Sequence, residues 1–233
     1  FAVFWALVFL LNQADHVLIV ANPQGDPEPG AVEALLHRLQ MPIRHDLVLW
    51  HAPDTKRPSG TLPWLTARDC LAHHHIRRDD AGHMARLARR LTGNAIGLVC
   101  SGGAALGFVQ QGVHKALLEL DIPIDYVGGT SMGAIMGGAI AASYSYAEIE
   151  HYAQRMADIG VLDYTLPLAS MTRSRNVRDI LKEPFGDLQI EDLWVPYFCV
   201  SANLSTAEAH VHERGDMWRA IRASMSIPGI FLP

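Results

Sequence analysis

The stretch Ile124-Asp-Tyr-Val-Gly-Gly-Thr-Ser-Met-Gly-Ala-Ile-Met-Gly-Gly-Ala-Ile-Ala-Ala142 decides the fold. Ile124 to Val127 reads as a short apolar strand and Gly133 to Ala142 as a helix of small residues. Between them Gly129-Thr130-Ser131-Met132-Gly133 fits G-x-S-x-G, the nucleophile elbow. A serine in that turn has strained backbone and presents its hydroxyl above the sheet edge. Side chains two residues to either side would collide with neighbouring backbone, and glycine at 129 and 133 removes them. The following helix puts the positive end of its dipole where an oxyanion would develop. Taken alone, the pentapeptide also fits a glycine-rich tight turn with a capping serine.

Upstream, Ala95 to Cys100 is a continuous apolar run, as a parallel strand covered on both faces requires. It leads into Ser101-Gly102-Gly103-Ala104-Ala105-Leu106-Gly107, where consecutive glycines let backbone N–H groups converge as an oxyanion hole needs. Adjacent parallel strands would bring this turn and the elbow to one sheet edge. A dinucleotide or phosphate loop is the competing reading. Against it stand Ala104, where the fingerprint wants glycine, and the lack of a Walker-type lysine after the glycines. The next helix runs to Leu120, with Val109, Val113, Ala116, Leu117 and Leu120 expected to face inward. Ser145-x-x-Glu148 is a capping box that opens a further helix. Tyr197 to Ala202 and Glu208 to His212 read as strands, and Asp216 to Met225 as a helix stopped by Pro228.

The N-terminal part alternates in the same way: strands at His16–Ala21 and Asp46–Trp50, helices at Ala31–Leu39 and Asp79–Leu91, and surface loops at 22–30 and 53–63. The expected architecture is a three-layer α/β/α fold with a mainly parallel central sheet. An α/β segment over 1–92 precedes a core over 93–233. Phe1 to Leu11 carries no charge but is shorter than the roughly 20 residues of a membrane span. It reads as a buried helix in preference to a cut membrane anchor. The 49% apolar and 18% charged residues suit a sizeable core. A net charge of −5 speaks against a nucleic-acid partner, though a local patch could still meet a membrane. Cys70, Cys100 and Cys199 are too far apart for a zinc knuckle or a disulfide framework, which points to a reducing, cytoplasmic compartment. His73-His74-His75 with His83 lacks ligand spacing, so neither a metal nor a cofactor is assigned. Arg173, Arg175 and Arg178 read as a solvated loop face, and Trp194 and Trp218 as core.

Four segments together resemble a patatin-like phospholipase domain. They are the glycine-rich turn, the helix Gln110-Gln-Gly-Val-His-Lys-Ala-Leu-Leu-Glu-Leu-Asp-Ile-Pro-Ile-Asp125, the strand into Gly128-Gly-Thr-Ser-Met-Gly133, and Arg222-Ala-Ser-Met-Ser-Ile-Pro-Gly-Ile-Phe231. Within that family, residues 86–99 and 190–198 are similar to the neuropathy target esterase and lysophospholipase branch. The resemblance implies a serine lipid acyl hydrolase that cleaves carboxylic esters of phospholipids or lysophospholipids through a Ser–Asp dyad and an acyl-enzyme. Ser131 matches the family's nucleophile, and Gly102, Gly103 and Ala104 match its oxyanion loop. Peripheral membrane contact and upstream cyclic-nucleotide-binding domains are implied by the same resemblance.

Two departures stand out. Leu106 occupies the place of the family's loop arginine, and Ser101 and Ala104 replace glycines common in this branch. No Asp-Gly pair occurs between residues 1 and 233, so the resemblance places the catalytic aspartate beyond Pro233 and leaves this chain without its base. Asp125, Asp187 and Asp216 match the motif nowhere and read as surface or capping residues. Two other readings stay open: a catalytically impaired relative that binds lipid or a protein partner, and an α/β-hydrolase triad using His151, His210 or His212.

Overall fold

The computed structural model describes residues 10–11, 13–39, 44–103, 107–158 and 170–226. The chain forms two compact units, Phe1–Leu87 and Ala88–Pro233. The first contains β1 (His16–Ala21), α1 (Ala31–Leu39), β2 (Arg44–His51), α2 (Thr61–Thr66) and β3 (Ala72–Arg77). The division between the units falls inside α3 (Ala81–Leu91). The second continues with β4 (Gly97–Cys100), α4 (Gly107–Glu119), β5 (Tyr126–Gly129), α5 (Met132–Ala141), α6 (Tyr146–Asp158), α7 (Ser170–Phe185), β6 (Tyr197–Asn203), β7 (Glu208–His212) and α8 (Met217–Met225).

The parallel strands are shared between two sheets. In the first unit β1, β2 and β3 pair in that order, all parallel. Leu47 and Leu49 on one face of β2 pack with Trp64 and Leu65 of α2, and Val48 on the other face packs with Ile76 and Leu87. A central strand covered on both faces needs this unbroken apolar run. The adjacent histidines of β3 alternate as a strand demands: His74 Nε2 lies 2.7 Å from Asp46, and His75 Nδ1 lies 2.9 Å from His51 Nε2. Among the described residues no group of three or more His, Cys, Asp or Glu could hold a metal ion.

Asp80, just before α3, caps it. Its carboxylate accepts from the His83 amide at 3.1 Å and from the Arg77 guanidinium at 2.7 Å. The Arg77 hydrogen bond holds the Asp80 carboxyl below its usual range. A depressed carboxyl adds stability above its unfolded value of about 4, and that stability is lost as pH falls through the folded value. Asp80→Ala should therefore cost about 1 kcal/mol at neutral pH, and the deficit should vanish in acid urea titrations.

In the second unit the order is β4-β5-β6-β7, parallel except for the antiparallel β6–β7 hairpin. Every residue of α5 is buried, as expected for a helix apolar on all sides. It packs on the sheet, and Tyr197 of β6 donates its hydroxyl to the Ala134 carbonyl at 2.8 Å. The capping box forms: the Glu148 carboxylate accepts from the Ser145 amide and hydroxyl, both at 2.7 Å.

Several expectations need correction. Most of the apolar stripe expected to face inward faces outward: Val109 is 64% and Val113 46% exposed, Ala116 is exposed and Leu120, just past α4, is 69% exposed, while Leu117 is half-buried. The face α4 buries carries Gly107, Gln111 and His114 instead, because Gly107 fits against Met132 of α5. Asp125 is a wholly enclosed residue, not a surface one. Residues 170–185 form α7 where a loop was expected, so Arg178 is an exposed helical residue and pairs with Asp179 at 2.9 Å. The side chains of Arg173 and Arg175 lie outside the described residues. The 53–63 loop ends early, since Thr61 already begins α2. Trp194 and Trp218 are half-buried, and Trp218 packs on the core. The helix expected over Phe1–Leu11 lies outside the described residues except for Leu10, which is exposed, and Leu11, which is buried. Among the described residues no helix is long and apolar enough to cross a membrane.

Candidate active site

Ser131 sits between β5 and α5 with φ 52° and ψ −121°, a conformation L residues seldom adopt. The glycines around it are required by close approach. A Cβ on Gly129 would lie 2.2 Å from the Gly133 carbonyl oxygen, and one on Gly133 would lie 2.1 Å from that of Cys100. The turn is tied to the neighbouring strand by the Thr130 amide, which donates to the Cys100 carbonyl at 3.1 Å. It closes on itself through the Gly133 amide and the Thr130 carbonyl at 2.8 Å. The Ser131 amide donates to Ser224 Oγ at 2.8 Å, and that hydroxyl donates to the Val200 carbonyl of β6 at 2.6 Å.

The parallel pairing of β4 and β5 brings the glycine-rich turn beside the elbow. Cys100 and Gly129 are register partners at the strand ends. The Cβ position of Gly102 lies 3.2 Å from Ser131 Cβ, and Gly103 has φ 145°, which favours glycine. Gly102 therefore meets Ser131 at the sheet edge, with Gly103 next to it in the turn, while Ala104 and Leu106 lie outside the described residues. Cys100 and Cys199 flank β5 and are buried. Burial raises the Cys100 thiol and pushes Cys199 up to about 11, so neither is an activated nucleophile.

Beside the elbow lies a narrow apolar crevice. Met132, Ile135, Met136 and Ala139 form one wall, at the spacing of a single helix face. Tyr152 and Met156 of α6 and Leu181 of α7 line it as well. The wall starts one residue after Ser131 and extends two helical turns, about 10 Å. Sequence reading missed this crevice and Ser224, because both are made by helices distant in the chain.

The three histidines considered for a triad make other contacts or are exposed. His212 Nε2 bonds to Ser201 Oγ at 2.8 Å, and burial, then His210, lowers its pKa. His210 stacks edge-on against His212, and His151 is exposed on α6. Three described carboxylates in this unit have other partners. Asp125 binds Arg89 at 2.6 and 2.8 Å, Asp216 binds Arg219 at 2.9 Å, and buried Glu191 accepts from the Gly215 amide at 2.7 Å. Asp187 is exposed.

Comparison with known proteins follows the two units. Residues 98–233 match the family model "Patatin-like phospholipase", and residues 5–94 match "Neuropathy Target Esterase family P-loop like domain". The turn after β1, residues 22–30, carries Asp26 and Glu28 and no lysine or arginine. The Glu33 carboxylate takes the Gly30 amide at 2.8 Å, so this helix start does not fit a phosphate. The chain is 36% identical over 255 aligned residues to mouse patatin-like phospholipase domain-containing protein 7, covering 96% of this chain and 19% of that protein. The rat protein of the same name is equally similar. Neuropathy target esterase sws of Drosophila ananassae is 35% identical over 96% of this chain and 17% of its own length. The chain thus spans about a fifth of the length of these curated relatives. Elbow, glycine turn and both domain matches agree: the chain belongs to the patatin-like phospholipase family, in its neuropathy target esterase branch.

Proposed function

We propose that the protein hydrolyses carboxylic esters of phospholipids or lysophospholipids, with Ser131 as nucleophile. The observation that carries this reading is the juxtaposition of a strained serine, a glycine-rich turn and an apolar crevice that begins at the next residue. Ser131 Oγ attacks the ester carbonyl, and backbone amides of the turn at Gly102, Gly103 and Ala104 hold the oxyanion. The leaving alcohol departs, and water releases the fatty acid from the acyl-enzyme. The acyl chain lies in the crevice, where burial of each methylene contributes about 0.8 kcal/mol. The base is the aspartate that the family resemblance places outside residues 1–233. The hydrolase core spans 93–233 and the 1–92 unit precedes it. Contact with the lipid surface is peripheral, on the cytoplasmic side, and cyclic-nucleotide-binding domains stand upstream.

Filling the crevice tests this reading. Ala153 lines it from α6, and Ala153→Phe should lower kcat/KM for a long-chain acyl ester about tenfold while a short-chain aryl ester is turned over as before. Equal losses on both esters would mean that the crevice holds no acyl chain.

A further inference from the structure

Ser224 lies 93 positions after Ser131, in α8, and its hydroxyl meets the Ser131 backbone. Its hydroxyl is used twice: it accepts the Ser131 amide hydrogen at 2.8 Å and donates its own to the Val200 carbonyl at 2.6 Å. Its donor capacity goes to β6, which leaves a lone pair aimed at the elbow. Three elements meet at this one atom: α8, the end of β5 and β6. The peptide it grips joins Thr130 to Ser131, and that peptide's orientation sets the direction in which Cα–Cβ of Ser131 leaves the backbone. On the other side the Ser131 carbonyl accepts the Ala134 amide at 2.9 Å and is fixed by the first turn of α5. The Thr130 amide is fixed by Cys100. The Thr130 carbonyl of the same peptide accepts the Gly133 amide at 2.8 Å, so Ser224 grips that peptide from outside the turn while Gly133 holds it from within.

We propose that Ser224 is a positioning residue for the reaction: its hydroxyl holds the Ser131 peptide in the strained conformation that aims Oγ at the substrate carbonyl. The proposal rests on Ser131 as nucleophile. An L residue at φ 52°, ψ −121° relaxes to a commoner conformation when the contacts that hold it are removed. Loss of the Ser224 hydroxyl lets the elbow populate relaxed states in which Oγ misses the carbonyl. Substrate binding draws on the crevice and survives in those states, so the turnover rate falls with the competent fraction and KM does not. A second consequence concerns the oxyanion. Because the Ser131 amide is committed to Ser224, it is not among the donors that stabilise the tetrahedral intermediate, and that work falls to amides of the 102–104 turn.

The test uses the full-length protein that contains this chain, with Ser224→Ala, Ser224→Thr, Ser224→Val and Ser131→Ala. Active sites are titrated with a fluorophosphonate, and kcat and KM are measured per titrated site on a long-chain acyl ester. Ser224→Ala should lower kcat and the labelling rate constant about tenfold, equivalent to about 1.4 kcal/mol, with KM within twofold. Ser224→Thr keeps the hydroxyl and should stay within threefold of the parent. Ser224→Val matches threonine in shape without the hydroxyl and should behave as Ser224→Ala does, which separates the hydrogen bond from packing even if the alanine variant accumulates poorly. A merely structural role would reduce the number of titrated sites and leave the rate per site unchanged. That result, or a threonine variant as slow as the valine one, overturns the proposal. Undiminished labelling of Ser131→Ala instead overturns the nucleophile reading beneath it.

Discussion

Ser131→Ala in the full-length protein abolishes covalent labelling by a fluorophosphonate and lowers ester hydrolysis on the order of 10⁴-fold or more. The size follows from what is removed. A nucleophile and its base act as a unit, so deleting either forfeits the covalent route, and what remains is binding and oxyanion stabilisation. The substitution is well suited to the question because it touches little else. Ser131 is half-buried, and its bond to Ser224 uses the backbone amide, which alanine retains. Alanine at φ 52° is no more strained than serine, so the circular-dichroism spectrum and the unfolding midpoint should match the parent. Labelling that survives in the alanine variant would remove Ser131 from the mechanism.

The elbow was legible because its signature is steric. Glycine at 129 and 133 is demanded by carbonyl oxygens little more than 2 Å from where a Cβ would stand, and that demand leaves a fixed spacing in the sequence. Strands β4, β5 and β6 were legible as apolar runs, although β4 is not covered on both faces as expected, since Val99 is 73% exposed. The orientation of α4 was not. Periodicity identifies Val109, Val113, Ala116 and Leu120 as one stripe, but it does not say toward which neighbour the stripe turns. The choice was made by Gly107, whose bare Cα lets the opposite side of α4 close on Met132. The role of Ser224 was illegible for a third reason. Its segment was recognised as a motif, yet a hydrogen bond spanning 93 positions has no local pattern. The same holds for the crevice, whose walls come from α5, α6 and α7 and meet only after the sheet has formed.

Asp125 shows how a residue can be misread when only its neighbours in sequence are weighed, and it supports the largest stability effect expected in the second unit. Its carboxylate is enclosed, with 0% exposure, and accepts from Arg89 Nε at 2.8 Å, from the Arg89 terminal nitrogen at 2.6 Å and from the Ile96 amide at 3.0 Å. Its own amide donates to the Ile96 carbonyl at 2.8 Å. The pair thus ties the end of α3 to the starts of β4 and β5, the two strands that lead into the glycine-rich turn and the elbow. The carboxylate hydrogen bond raises the Arg89 pKa and keeps the guanidinium charged. Arg89→Ala leaves the carboxylate without its counter-charge, and removing one partner of a buried pair costs about 3–5 kcal/mol. The Arg89 side chain is 28% exposed, so water can reach the space it vacates, and the cost should fall at the lower end, about 3 kcal/mol by urea unfolding. Asp125→Ala combined with Arg89→Ala should lose at least 1 kcal/mol less than the two single losses added, roughly the coupling expected of contacting charges. Rates per titrated site should match the parent, because the pair stands at the strand ends opposite the elbow. A loss of less than about 0.5 kcal/mol for Arg89→Ala would place the interaction among solvent-screened surface pairs and overturn the account.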